Sequence, residues 1–137
     1  VDATAMELVC QPWIFNVMVT ENMFGDIISD LAGGLMGSMG LAPSADIGDK
    51  HAVFQPAHGT APNIAGEGKA NPIAAILSGA MMLEWLGDTH NDENCLEAAE
   101  MISKAVTRSI NSKNIIPFEF GGNDGTAAIT KAVIENL

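Results

Sequence analysis

Tyrosine is absent from this sequence, arginine occurs once (Arg108), and six basic residues face 17 acidic ones, a formal net charge of −11. Phosphate backbones and anionic bilayers are bound by clustered Lys and Arg, so nucleic acid and a membrane surface are excluded as partners. A site for a di- or tricarboxylate draws on several convergent basic donors, which this chain cannot assemble alone. The acidic excess fits a cation site or plain solubility, and solubility is the default. Aromatics make up only 5%, so any core is aliphatic. Cys10 and Cys95 show no paired or metal-ligand spacing, which predicts a reducing compartment. No apolar run reaches the ~18 residues of a membrane span. The start, Val1-Asp2-Ala3, has neither a basic n-region nor an apolar h-region, so no signal peptide is expected. It also lacks an initiator Met, which predicts a chain that begins within a longer protein.

What is present is globular. Apolar residues account for 47% of 137 positions, including eight Met, enough for one compact core. Ala3–Val9 reads as a short helix with Asp2 at its start, closed by Pro12. Ile14–Thr20 is β-rich and apolar, which predicts a buried strand. Asn22 reads as the turn into a helix over Gly25–Leu35, ended by Gly33-Gly34 and Gly37. Gly40–Gly48 reads as a crossover and Ala52–Pro56 as a strand. His58–Asn71, dense in Gly, Pro and Asn, is a loop. Pro72 suits a helix start, and Ile73–Leu86, with Glu84 its only charge, predicts a helix buried nearly all round. Leu96, Ala99, Ile102, Val106 and Ile110 mark Asp92–Ile110 as amphipathic. Ser112–Asp124 reads as loop with a strand at Phe118–Phe120, and Thr126–Leu137 as a final helix. Strands separated by helices predict an α/β class.

Asp26 and Asp30 are the first constellation that could carry chemistry. At i and i+4 on a helix their carboxylates share a face. Their repulsion is relieved by a hard cation such as Mg²⁺ or Mn²⁺. Acidic residues near a helix start also complement its dipole with no metal at all. Spacing alone leaves both readings open.

The surrounding residues add a resemblance. Asn22–Leu41, running NMFGDIISDLAGGLMGSMGL, is similar to the signature of the β-decarboxylating dehydrogenases: isocitrate, 3-isopropylmalate, homoisocitrate and tartrate/malate dehydrogenases. Val1-Asp2-Ala3, FQPAHGTAP at Phe54–Pro62, GKANP at Gly68–Pro72 and AMML at Ala80–Leu83 follow in family order. The resemblance covers the whole chain and corresponds to the C-terminal portion of a family member. It implies a truncated isocitrate/isopropylmalate dehydrogenase-like α/β fold. Residues 1–36 would belong to the smaller, dimer-forming, metal-binding domain and residues 37–137 to the large dinucleotide-binding domain. It makes Asp26 and Asp30 metal ligands, with Asp2 supplied from the partner subunit of a homodimer; taken alone, Asp2 is a helix cap. The implied reaction oxidises a 3-substituted malate at C2, passing hydride to NAD, and loses CO₂ with Mg²⁺ or Mn²⁺ as Lewis acid.

Read cold, His58–Asn71 is a connector and not a G-x-G-x-x-G turn. By the resemblance it holds the adenosine half of the cofactor: His58 against the adenine, Gly59, Thr60, Ala61 and Pro62 close to it through backbone, and Asn71 hydrogen-bonded to the adenine ring. His58 is equally readable as a buried, hydrogen-bonded loop imidazole. NAD-linked members carry Asp where this sequence has Asn63; Ile64 matches their pattern, and no basic residue precedes Lys69 in the loop. NAD is therefore favoured over NADP. Gln55 replaces a Glu common in the family.

Met81, Met82 and Leu83 read as core. His51 and His90 read as solvated. Ser29, Ser44 and Ser78 lack a triad arrangement. The Lys, Tyr and Arg groups that the family uses in catalysis lie upstream, so no catalytic residue is assigned within this segment. Three readings follow: a metal- and NAD-dependent dehydrogenase, a non-catalytic regulatory relative of the same fold, or an inactive fragment. Retention of Asp2, Asp26, Asp30 and the HGTAP loop argues against the second. The substrate expected is 3-isopropylmalate or isocitrate, with tartrate/malate or homoisocitrate as alternatives. The location expected is the cytoplasm, or the mitochondrial matrix in a eukaryote.

Overall fold

A computed structural model describes residues 2–112 and 115–137. Val1 of the first family-like motif and positions 113–114 of the Ser112–Asp124 loop lie outside the described residues. Among the described residues, five α-helices and one β-hairpin follow in the order α1 (Asp2–Cys10), α2 (Asn22–Leu35), β1 (Pro43–Ile47), β2 (Ala52–Pro56), α3 (Ile73–His90), α4 (Glu93–Asn111) and α5 (Thr126–Glu135). Single 3₁₀ turns at Pro12–Ile14, Met39–Leu41, Pro62–Ile64 and Phe118–Phe120 punctuate the connections.

α3 is the central element: α4 packs along it, and the hairpin lies against it. Ile73, Ala105, Val106, Ile129 and Val133 form the core cluster where α3, α4 and α5 meet, with Leu41, Ile76, Leu77 and Ile115 around it. The α3–α4 turn follows from capping chemistry. Asn91, at φ 53° and ψ 44°, closes α3 in the left-handed region that Asn tolerates. The next residue, Asp92, accepts from the backbone N–H of Asn94 at 3.0 Å and starts α4. Gly87 lets the helices touch, since a Cβ there would stand 2.6 Å from the Leu96 side chain.

Four expectations are corrected. Ile14–Thr20 forms no ladder: Ile14 ends a 3₁₀ turn, and Val17 and Val19 are 84% and 95% exposed. A β-prone run becomes a strand only where it pairs with a neighbour, and among the described residues the sheet is limited to the hairpin of Pro43–Ile47 and Ala52–Pro56. Pro43–Ile47, read as crossover, is β1, antiparallel to β2 from Pro43↔Pro56 to Ile47↔Ala52. The two prolines pair with each other at the open end, where no ladder N–H is lost. Phe118–Phe120 is a 3₁₀ turn rather than a strand, closed by Gly121 at φ 79°. Finally, α3 is buried on one face only: Ile73, Ala74, Ser78 and Ala80 are inside, whereas Met82 is 41% exposed, so the Met pair is not wholly core. The mixed helix and sheet content stands, with the sheet limited among the described residues to this one hairpin.

Candidate functional site

Helix α2 begins at Asn22, one turn earlier than the glycines suggest, with Glu21 extended at its N-cap. This shift bears on the dipole reading of the acidic pair. No acidic residue lies in the first turn of α2; Asp26 stands in the second turn and Asp30 in the third. The dipole effect fades beyond the first turn, so it gives these carboxylates little relief. Both are exposed and project from one side of the helix, while Ile28 and Gly33 are buried. Like charges at this spacing cost the helix about 0.2–0.5 kcal/mol, and a bound dication reverses that sign.

Asp2 opens α1, where its Oδ1 accepts from the backbone N–H of Ala3 at 2.8 Å, and it is exposed. Helix α1 packs on α2, yet no group of three His, Cys, Asp or Glu side chains able to hold a metal gathers among the described residues. One helix therefore places two carboxylates on a shared face, and Asp2 does not join them in a three-ligand group among the described residues.

The His58–Asn71 segment is a loop, as expected, broken only by the turn Pro62–Ile64. His58 is exposed rather than buried, with Nδ1 2.9 Å from the carbonyl of Gly59. When Nδ1 donates there, the neutral ring keeps Nε2 as an acceptor. Ala61 holds φ 43° and ψ 60°, a left-handed conformation that costs a residue with a Cβ about 1–2 kcal/mol. It initiates the Pro62–Ile64 turn, and its carbonyl accepts from the N–H of Ile64 at 3.1 Å. Gly59, Thr60, Pro62 and Asn63 are exposed and Ile64 half-buried. Gly66 and Gly68, at φ 78° and 66°, have open space where a Cβ would be. Lys69 turns back onto Glu67 at 2.6 Å and lies 5.6 Å above the ring of Phe118.

At the loop's end Asn71 is only 6% exposed. Its Oδ1 accepts from the N–H of Ile73 at 3.1 Å, capping α3, and its Nδ2 donates to Oε1 of Glu119 at 2.7 Å. Nothing in the local sequence singles out Glu119, which lies 48 positions away; only folding discloses the pair. His51 and His90 are exposed, and Ser78 is buried with its hydroxyl donating to the carbonyl of Ala74 at 2.8 Å. No helix among the described residues is long and apolar enough to cross a membrane.

The chain that carries the paired carboxylates and the strained, glycine-rich loop has relatives among known proteins. The profile of the isocitrate/isopropylmalate dehydrogenase family matches residues 1–137, and the chain belongs to that family. It is 53% identical over 137 residues to the isocitrate/homoisocitrate dehydrogenase of Thermus thermophilus, covering all of this chain and 39% of that protein. It is 46% identical over 140 residues to the 3-isopropylmalate dehydrogenase of Aquifex aeolicus, again over the whole chain and 37% of the relative. The crystal structure of isocitrate dehydrogenase from Methylococcus capsulatus superposes with a TM-score of 0.89 at 43% identity, over 98% of this chain and 38% of that one. The fold is thus that of a portion of the family's enzymes, and the chain spans about two-fifths of the length of the curated relatives it matches.

Proposed function

We propose that this chain supplies the metal-binding helix and the cofactor loop of an NAD-dependent, β-decarboxylating dehydrogenase acting on a 3-substituted malate. The observation that carries the reading is the placement of Asp26 and Asp30 beyond the first turn of α2, where neither dipole nor burial accounts for them. Relatives named for isocitrate, homoisocitrate and 3-isopropylmalate all take substrates of this class, which supports it.

The donor set fits the group. Two carboxylates are hard oxygen ligands of the kind Mg²⁺ and Mn²⁺ prefer, and these ions take about six. The balance would come from substrate, water and Asp2 of the partner subunit in a homodimer. When bound, the cation supplies Lewis-acid stabilisation of charge on the C2 oxygen as CO₂ leaves, and NAD accepts the hydride. Asp26 and Asp30 fix the position of that charge by sharing one rigid helix face. In the loop, Ala61, Gly66 and Gly68 open the backbone for close approach, and His58 offers a flat ring to the adenine. Lys69 is paired with Glu67, so it is not available to a 2′-phosphate; exposed Asn63 can hydrogen-bond a ribose hydroxyl. These features favour NAD over NADP. The helix break at Met36 and Gly37, the latter at φ 102°, supports a boundary between a dimer-forming part (1–36) and a dinucleotide-binding part (37–137).

With the family's basic and phenolic groups absent from this segment, the 137-residue chain is inactive on its own. The acidic balance speaks against nucleic acid and anionic membrane as partners, and the free thiols Cys10 and Cys95 fit a reducing setting, the cytoplasm or, in a eukaryote, the mitochondrial matrix. The test is metal titration of the full-length protein: Asp26→Asn is expected to weaken Mn²⁺ binding at least about tenfold. Unchanged Mn²⁺ affinity in that variant would remove the basis of the reading.

A further inference from the structure

We infer that Glu119 is a positioning residue for the dinucleotide site, acting through Asn71; the inference rests on the dinucleotide reading of the His58–Asn71 loop. Asn71 stands where that loop enters α3, and its carboxamide is held at both ends. Oδ1 takes the N–H of Ile73 at 3.1 Å while Nδ2 gives a proton to Glu119 at 2.7 Å. This arrangement permits one orientation of the amide. Rotated by half a turn, the NH₂ group would face the N–H of Ile73 and the oxygen would face a carboxylate, two repulsions in place of two bonds. Glu119 therefore selects the rotamer, and as a charged acceptor it does so through the stronger class of hydrogen bond.

Gly40 packs closely against one side of the pair, while Glu119 is exposed on the other. A Cβ on Gly40 would lie 2.9 Å from the Cβ of Asn71 and 2.9 Å from Oε1 of Glu119. The segment around Glu119 also grips the loop's backbone. The N–H of Thr126 donates to the carbonyl of Gly68 at 2.8 Å, its hydroxyl donates to the carbonyl of Ala70, and Phe118 lies under Lys69. Of these ties, Glu119 is the one made to the Asn71 side chain. The remainder of the loop, from His58 to Asn63, is exposed, so its geometry toward a ligand depends on the anchored end at Asn71. Losing Glu119 would leave the α3 cap in place, because Oδ1 keeps its bond to Ile73, while freeing the amide to swing.

The experiment is calorimetric titration of NAD into the full-length protein and its Glu119→Ala, Glu119→Gln and Gly40→Ala variants, with Mn²⁺ titration and Tm measured alongside. Glu119→Ala is expected to weaken NAD binding roughly tenfold, about one unit in log Kd. Glu119→Gln keeps an acceptor oxygen and restores most of the affinity. Gly40→Ala crowds the pair from the other side and weakens NAD in the same direction. Mn²⁺ affinity stays at the wild-type value, because Asp26 and Asp30 are on another element. Wild-type NAD affinity in Glu119→Ala overturns the inference, as does a parallel loss of NAD affinity, Mn²⁺ affinity and Tm, which marks a purely structural residue. A wild-type protein that takes up no NAD defeats the dinucleotide reading itself, a different result from either.

Discussion

The two ends of the molecule are built on opposite terms. From α3 onward, apolar side chains find one another: Ile73 and Ile129 are 1% and 0% exposed, and Ala105 and Val106 close the space between them. Before β1, the chain carries apolar residues that it cannot cover. Met6, Val9, Trp13, Val17, Val19, Met23 and Ile27 are all exposed, some almost fully. So many exposed apolar side chains in one short stretch suit a face that another surface covers. The lesson is that the packed core and the proposed metal ligands are separated here. The packed end forms the core, while Asp2, Asp26 and Asp30 lie on the end whose apolar residues are left uncovered among the described residues.

Mutations can break that contrast or sharpen it. The largest stability effect is expected from Ile129→Ala, which removes a fully buried side chain and should cost about 2–5 kcal/mol in chemical denaturation. Val19→Ser in the full-length protein should cost about 1–2 kcal/mol if that face is covered there, and should fall within roughly ±0.5 kcal/mol in the 137-residue chain. Equal values in both settings would mean that the N-terminal face is solvent-exposed by design. Next in size is Gly37→Ala at the junction of the two ends. A Cβ there must adopt φ 102° and meets the ring of Phe120 at 3.1 Å, so a loss of about 1–2 kcal/mol is expected, read as a lowered Tm.

The smallest effect is chemical rather than structural. Partial burial, and then the Asp92 carboxylate beside it, push the Cys95 thiol above its ordinary value. Fewer thiolates exist at a given pH, so Cys95 should alkylate with iodoacetamide more slowly near pH 8 than exposed Cys10. Asp92→Asn retains an N-cap for α4 and should speed Cys95 alone. Equal rates in the parent and the variant would show that the carboxylate does not reach the sulfur.

Local patterns were readable wherever the chain supplies its own partners. The helices over Ala3–Val9, Asp92–Ile110 and Thr126–Leu137, strand Ala52–Pro56 and the loop His58–Asn71 follow from capping residues, periodicity and turn chemistry, and each is present in the fold within a few residues. Strand Pro43–Ile47 escaped because its five residues are bracketed by Pro and Gly, and its identity comes from pairing with Ala52–Pro56. Ile14–Thr20 misled for the converse reason: its composition suits a sheet that the described residues do not provide. For the site, the Asp pair and the glycine-bearing loop were visible in the spacing, whereas Glu119 was not, because a bond across 48 positions leaves no local trace.

By itself, then, the sequence determined the family, through the long signature at Asn22–Leu41 and the HGTAP and GKANP segments, and it determined which helices form. Only the tertiary structure decided that α2 starts at Asn22 and carries its aspartates past the reach of the dipole. It alone showed His58 open to solvent, Ala61 strained, and Asn71 locked between α3 and Glu119. The physical reason is range. Capping and periodicity act within a few residues and are written in order along the chain, whereas burial, amide orientation and cross-chain hydrogen bonds arise from neighbours that only folding brings together.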